Sequence, residues 1–261
     1  MGSKPILSAA DAPSGAEGLE ARWINITVPE VGGLIAAVAR PSGTGPFPSI
    51  LLLHGSHGFA KEYVRLAQDF ACCGLLSVAA CWFREGGGAG TRFITPILRP
   101  NAPPRPDPLG HVAMQTVSAL VQVTRSLPDA QPDSIGLFGH SRGGGAALNY
   151  MLRSGDVQAG VLSSSRYPEQ LADIAAEMKV PVLILHGTAD READGGTEFT
   201  KVEMARSFER ALRDGGKTVE AIYYEGGRHN DIFDSSLRYQ DELQRSLAFF
   251  EHHLKLRAGT P

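Results

Sequence analysis

The chain has 261 residues, 43% of them hydrophobic, with 25 basic and 28 acidic side chains and a formal net charge of −3. That length suits one large α/β domain with a substantial core. The charge balance, with no run of one sign, excludes the electrostatic footprint of a nucleic-acid partner or an anionic membrane surface. No stretch of about 18 apolar residues occurs, so no membrane-spanning helix is expected.

Met1 to Glu20 is small and polar, without the apolar centre of a signal peptide, and reads as a flexible tail (1–20) ahead of a single domain (21–261). Three cysteines is an odd number, and Cys72 and Cys73 are neighbours on a predicted helix. They are expected as buried free thiols in a reducing compartment, which makes the protein cytoplasmic on this reading.

Arg22 to Val28 alternates apolar and polar residues as a strand does, with Gly33 to Ala39 as its hairpin partner. Ser49 to Leu53 is a continuous apolar run, the mark of a strand buried on both faces. It leads into His54-Gly55-Ser56-His57-Gly58-Phe59, then a helix over about Glu62–Cys73 and a strand over Leu75–Trp82. Residues 83–110 break the rhythm with Gly86, Gly87, Gly88 and Gly90 and six prolines. A long irregular stretch at the C-terminal end of a buried strand suggests an extended wall of a ligand pocket.

Alternation resumes with a helix from about His111 to Ser126. The central motif follows: a short apolar strand through Ile135-Gly136-Leu137-Phe138, then Gly139-His140-Ser141-Arg142-Gly143, then a helix to Arg153. G-x-S-x-G between a strand and a helix is a nucleophile elbow, which projects the serine hydroxyl from the sheet toward free helix N–H groups. Val157–Leu162 and Val180–Leu185 read as strands, Pro168–Met178 and about Phe199–Arg213 as helices, and Val219–Tyr224 as the last strand. The terminal helix, about Ser236–Leu254, carries Leu243, Leu247, Phe250 and Leu254 as a core-facing stripe. Strands alternating with helices imply a mainly parallel sheet covered on both faces.

A nucleophilic serine needs a base, an acid to orient that base, and donors for the oxyanion. Asp190 lies just past the Val182–Leu185 strand, and His229 sits in a glycine-led loop after Tyr224, giving the chain order serine, acid, histidine. Asp194 and Glu192 compete with Asp190, which is nearest the strand end. Among the other histidines, His54, His140 and His186 each precede a glycine or the serine at a strand end, where a buried imidazole shaping a turn is expected. The oxyanion donors expected are the backbone N–H groups of Arg142 and Ser56, with His57 next. His57, Phe59 and Arg142 are the expected substrate contacts; the Arg142 side chain either clamps a carboxylate or lies on the surface.

Taken together, G-H-S-R-G-G, L-L-L-H-G-S-H-G, V-P-V-L-I-L-H-G-T-A-D and G-G-R-H-N resemble the α/β-hydrolase superfamily, in its dienelactone hydrolase and prolyl-oligopeptidase-like branch. The resemblance runs from about residue 22 to the end. It implies a sheet of about eight strands, a Ser141–His229–Asp190 triad, and neither metal nor organic cofactor. Dienelactone hydrolases proper carry a cysteine nucleophile, and the serine here favours hydrolysis of small carboxylic esters. Thioester or lactone hydrolysis by the same triad, and a binding protein with an inactive triad, are the alternatives. An edge strand or apolar patch offers a route to a homodimer.

Overall fold

A computed structural model describes residues 4–84 and 93–254. Nine strands form one sheet: β1 (Ile6–Ala10), β2 (Arg22–Val28), β3 (Gly32–Ala39), β4 (Phe47–Leu53), β5 (Leu76–Cys81), β6 (Ala130–His140), β7 (Ala159–Ser163), β8 (Val182–Gly187) and β9 (Val219–Tyr224). Their order is β1-β2-β3-β5-β4-β6-β7-β8-β9. β1, β2, β3 and β5 pair antiparallel, and every pairing from β5 through β4 to β9 is parallel.

Among the described residues seven α-helices accompany them: α1 (Lys61–Cys72), α2 (His111–Ser126), α3 (Arg142–Arg153), α4 (Glu169–Asp173), α5 (Val202–Asp214), α6 (Asp231–Asp234) and α7 (Ser236–His253). Period-two alternation divides the strands between two apolar layers. Leu51, Leu53, Leu137 and Ile184 point to the layer shared with α2, α3 and α5. Ile50, Leu52, Phe138, Leu183 and Leu185 point to the layer shared with α1 and α7. Full burial on both faces is why these strands read as unbroken apolar runs.

Three local expectations are corrected. Ile6–Ala10 is a strand, paired antiparallel with β2, and so part of the sheet rather than a flexible tail. It is nearly all exposed, and backbone pairing holds it where apolar burial does not. The Pro168–Met178 helix breaks at Ile174 into α4 and a 3-10 turn. Cys72 and Cys73 are exposed, and Cys81 alone is buried. The α7 stripe faces the core as read: Phe250 and Leu254 are buried and Leu243 and Leu247 pack half-buried against the same layer, with Glu242, Ser246 and Phe249 also turned inward.

After β5, residues 93–110 are extended but tied down. Ile97 N–H donates to Phe59 O at 2.9 Å, Lys61 N–H to Thr95 O at 2.9 Å, and Arg84 N–H to Pro103 O at 2.8 Å. The four glycines of this stretch lie outside the described residues. Among the described residues no helix is long and apolar enough to cross a membrane.

Candidate active site

The chain leaves β4 toward β5 on one side and β6 adds on the other, so the loops after β4 and β6 part at the C-terminal edge of the sheet. Such a switch point is where open α/β sheets form a crevice. Ser141 follows β6 with φ 53° and ψ −115°, a backbone that costs a non-glycine residue on the order of 1–3 kcal/mol. Close packing enforces it. A Cβ on Gly143 would stand 2.1 Å from Leu53 O, so α3 starts hard against β4. Ser141 N–H donates to Ser163 O at 3.0 Å, and Ser141 O accepts from Gly145 N–H at 3.0 Å. The hydroxyl is thereby thrown outward at the N-terminus of α3, beside N–H groups without helical partners.

Asp190 sits in the turn after β8, buried, with Oδ1 accepting from Thr200 Oγ1 at 2.9 Å. Its Oδ2 lies 2.7 Å from His229 Nδ1, and His229 Nε2 lies 2.9 Å from Ser141 Oγ. A carboxylate can only accept, so Nδ1 carries the imidazole proton and Nε2 presents a lone pair to the serine hydroxyl. Asp194, the rival acid, instead holds exposed Arg191 at 2.9 Å, and Glu192 is exposed. The structure thus brings Ser141, His229 and Asp190 into one hydrogen-bonded line from three separate loops.

The strand-end histidines are all buried, as their sequence positions suggest. His54 Nδ1 donates to Gly55 O at 3.0 Å while Nε2 accepts from Trp82 N–H at 3.3 Å; burial pushes its pKa down to about 3. His186 donates to Thr200 O at 2.6 Å, and burial lowers it to about 4, with Asp190 opposing. His140 is pushed well below its ordinary value by burial, and further by His229 and His57. Each is a neutral imidazole at neutral pH.

Of the predicted substrate contacts, His57 lies at the site. Its ring centroid is 5.7 Å from that of His140, with Phe93 at 5.4 Å and Phe233 at 5.9 Å, and its Nε2 is 2.9 Å from Tyr63 Oη. Phe93 and Phe233 were not legible as site residues, since their approach depends on loops far apart in the chain. Phe59 does not join them: it is buried in the core, edge-on to Trp23 at 6.3 Å. Its aromatic bulk completes the α1-side layer, and only its backbone, by accepting from Ile97, serves the pocket wall.

Arg142 neither clamps a carboxylate nor lies free on the surface. Its Nε donates to Ser56 Oγ at 3.1 Å and its Nη1 to Pro106 O at 2.8 Å, pinning the loop after β4 to the Pro-rich segment. Burial lowers its pKa to about 10, with Arg166 and Arg105 adding to the shift. Ser56 and His57 are the central residues of a turn closed by Gly58 N–H to Gly55 O at 3.1 Å; their own N–H groups are not consumed by that turn. Among the described residues no cluster of three or more histidine, cysteine or acidic side chains could hold a metal ion.

Comparison with known proteins supplies a family. The sequence profile of the dienelactone hydrolase family matches residues 34–254.

The chain belongs to the dienelactone hydrolase family. It is a hydrolase on that ground. A Methylorubrum extorquens protein named "Putative carboxymethylenebutenolidase" is 26% identical over 249 residues, covering 92% of this chain and 81% of that one. The dienelactone hydrolase of Anabaena variabilis superposes with a TM-score of 0.64 at 20% identity, covering 97% of this chain and 100% of that one. A thermophilic esterase of Thermogutta terrifontis gives 0.61 at 18% identity, covering 89% and 92%. These structural likenesses establish the α/β-hydrolase fold.

Proposed function

We propose that this dienelactone hydrolase family member is a serine hydrolase that cleaves small carboxylic esters through an acyl-enzyme. The observation that carries the reading is the line Ser141 Oγ, His229 Nε2, His229 Nδ1, Asp190 Oδ2, with spacings of 2.9 and 2.7 Å. His229 Nε2 takes the hydroxyl proton as Ser141 Oγ attacks the ester carbonyl, and Asp190 stabilises the imidazolium that forms. The N–H groups of Arg142 and Ser56 receive the oxyanion, each such donor being worth roughly 3 kcal/mol. His229 returns the proton to the leaving alcohol, and water then repeats the sequence on the acyl-Ser141 ester to release the acid. The Arg142 side chain contributes indirectly, by holding the Ser56 loop in place.

Ser141→Ala should lower hydrolysis of p-nitrophenyl acetate by about 10⁴-fold or more, in line with removal of a triad nucleophile, while the melting temperature holds. Retention of activity would refute the assignment. A parallel panel of p-nitrophenyl esters, lactones and acyl-CoA thioesters ranks the substrate class. An ester preference is expected, and turnover of lactones or thioesters in its place would reassign the substrate while keeping the triad.

A further inference from the structure

Asn230 follows His229 in the chain, and its side chain does more than fill space. The amide is 8% exposed. Its Oδ1 lies 3.1 Å from His140 Nε2, and its Nδ2 donates to Asp194 O at 2.8 Å. His140 immediately precedes Ser141, Asp194 lies four residues beyond Asp190, and Asn230 is itself on the histidine loop. One amide group therefore touches all three loops that carry the proposed triad. The geometry points to Asn230 as a positioning residue that sets the register of the nucleophile, acid and base loops for the acyl-transfer step. This inference rests on the serine-hydrolase reading above.

The hydrogen-bond chemistry makes the clamp directional. An amide oxygen only accepts, so His140 must carry its proton on Nε2. Its bare Nδ1 then faces Ser163 Oγ at 3.4 Å, and that hydroxyl donates to buried Glu242 at 2.7 Å. Glu242 is in turn paired with Arg238 Nε at 2.6 Å. His140 is thus held through its Nε2 proton and has no lone pair turned toward Asn230. Its ring centroid is 5.4 Å from that of His229, and in this tautomer its bare nitrogen, Nδ1, faces Ser163 rather than the serine proton.

The acid side of the clamp depends on a residue with no side chain. Gly195 has φ +93°, and a Cβ there would stand 2.8 Å from Asn230 Nδ2. The backbone of the acid loop is shaped to let the amide reach the Asp194 carbonyl. The two hydrogen bonds of His229 leave its ring free to tilt about their common axis, and the relative placement of three loops fixes that tilt. A displacement of about 1 Å at a reacting centre can cost on the order of 100-fold in rate.

The test compares Asn230→Ala, Asn230→Asp and Ser141→Ala with the wild-type chain, reading kcat, KM, melting temperature, pH profile and the labelling rate with a fluorophosphonate. Asn230→Ala is expected to lower kcat and the labelling rate together by about 10- to 100-fold, with KM within twofold and the melting temperature nearly unchanged. Asn230→Asp keeps the acceptor for His140 but places a carboxylate beside the site. The titratable groups facing His229 are Asp190 and His186 from the β8 side, His140 from β6 and His57 from the loop after β4. The added negative charge favours the imidazolium, so the acid limb of kcat/KM should move to higher pH by about half a unit or more, with kcat reduced as in the alanine variant. A kcat for Asn230→Ala within threefold of wild type overturns the inference, as does a loss confined to KM. If the alanine variant does not fold, a wild-type kcat and pH profile for Asn230→Asp overturns it instead. Activity surviving in Ser141→Ala defeats the serine-hydrolase reading itself; an inactive Ser141→Ala beside a wild-type Asn230→Ala defeats only the clamp.

Discussion

Three strands of the parallel part of the sheet, β4, β6 and β8, change character within a residue or two of their C-terminal ends. Leu51-Leu52-Leu53 gives way to His54, Leu137-Phe138-Gly139 to His140 and Ser141, and Ile184-Leu185 to His186. The bodies of these strands are fully buried hydrocarbon between two helical layers. Their ends are equally buried but polar, with each imidazole hydrogen-bonded to a backbone or side-chain partner through at least one ring nitrogen. The strand bodies supply stability at roughly 2–5 kcal/mol per large aliphatic side chain. The rim spends part of it, on neutralised histidines and on a serine held at positive φ. Close packing below is what makes the strained geometry above rigid, and rigidity is what proton transfer between three loops requires.

Acid should expose this difference most strongly. In the unfolded chain His54, His140 and His186 take up protons near pH 6.5, whereas the folded chain holds His54 near 3, His186 near 4 and His140 well below 6.5. Between these values the unfolded state binds more protons, so folding stability falls as pH drops below about 6.5. Each histidine contributes at most about 1.4 kcal/mol per pH unit, and the three together on the order of 4 kcal/mol per unit as an upper bound. Urea unfolding midpoints measured at pH 7, 6, 5 and 4.5 should decline steadily. A flat profile over that range would mean that the rim histidines are not held neutral by the fold.

A smaller effect separates the backbone of the rim from that of the core. At an ordinary helical position such as Ala147, replacement by glycine should cost roughly 1 kcal/mol. At position 141 the order should reverse: Ser141→Gly should be more stable than Ser141→Ala by about 1 kcal/mol, because only glycine adopts φ 53° without strain. Thermal melts of the two variants decide it, and an alanine variant at least as stable as the glycine one would show that the turn carries no strain.

The sequence was most legible where burial is complete. Ser49–Leu53 and Val182–Leu185 announce themselves as apolar runs inside β4 and β8, α2 matches its sequence reading at both ends, and the serine, acid and histidine could be ordered from the strand ends that carry them. It was least legible where backbone pairing or polar contacts across the fold decide. β1 is too short and exposed to leave a hydrophobic period. The apolar stripe of α7 marks its core face, but it gives no sign that Glu242 also turns inward to meet Arg238 and Ser163. Phe59 resembled a pocket residue by position, yet its side chain belongs to the α1 layer. Asn230 gives no signal of its own: its partners lie 90 and 36 residues away, and only the closed rim brings them together.

The most direct measurement is peptide mapping by mass spectrometry after treatment with a fluorophosphonate at neutral pH. A single adduct on the peptide containing Ser141 is predicted, absent from Ser141→Ala and formed far more slowly in His229→Gln. No adduct in the folded wild-type protein, or an adduct on another residue that persists in Ser141→Ala, would contradict an activated serine at this rim.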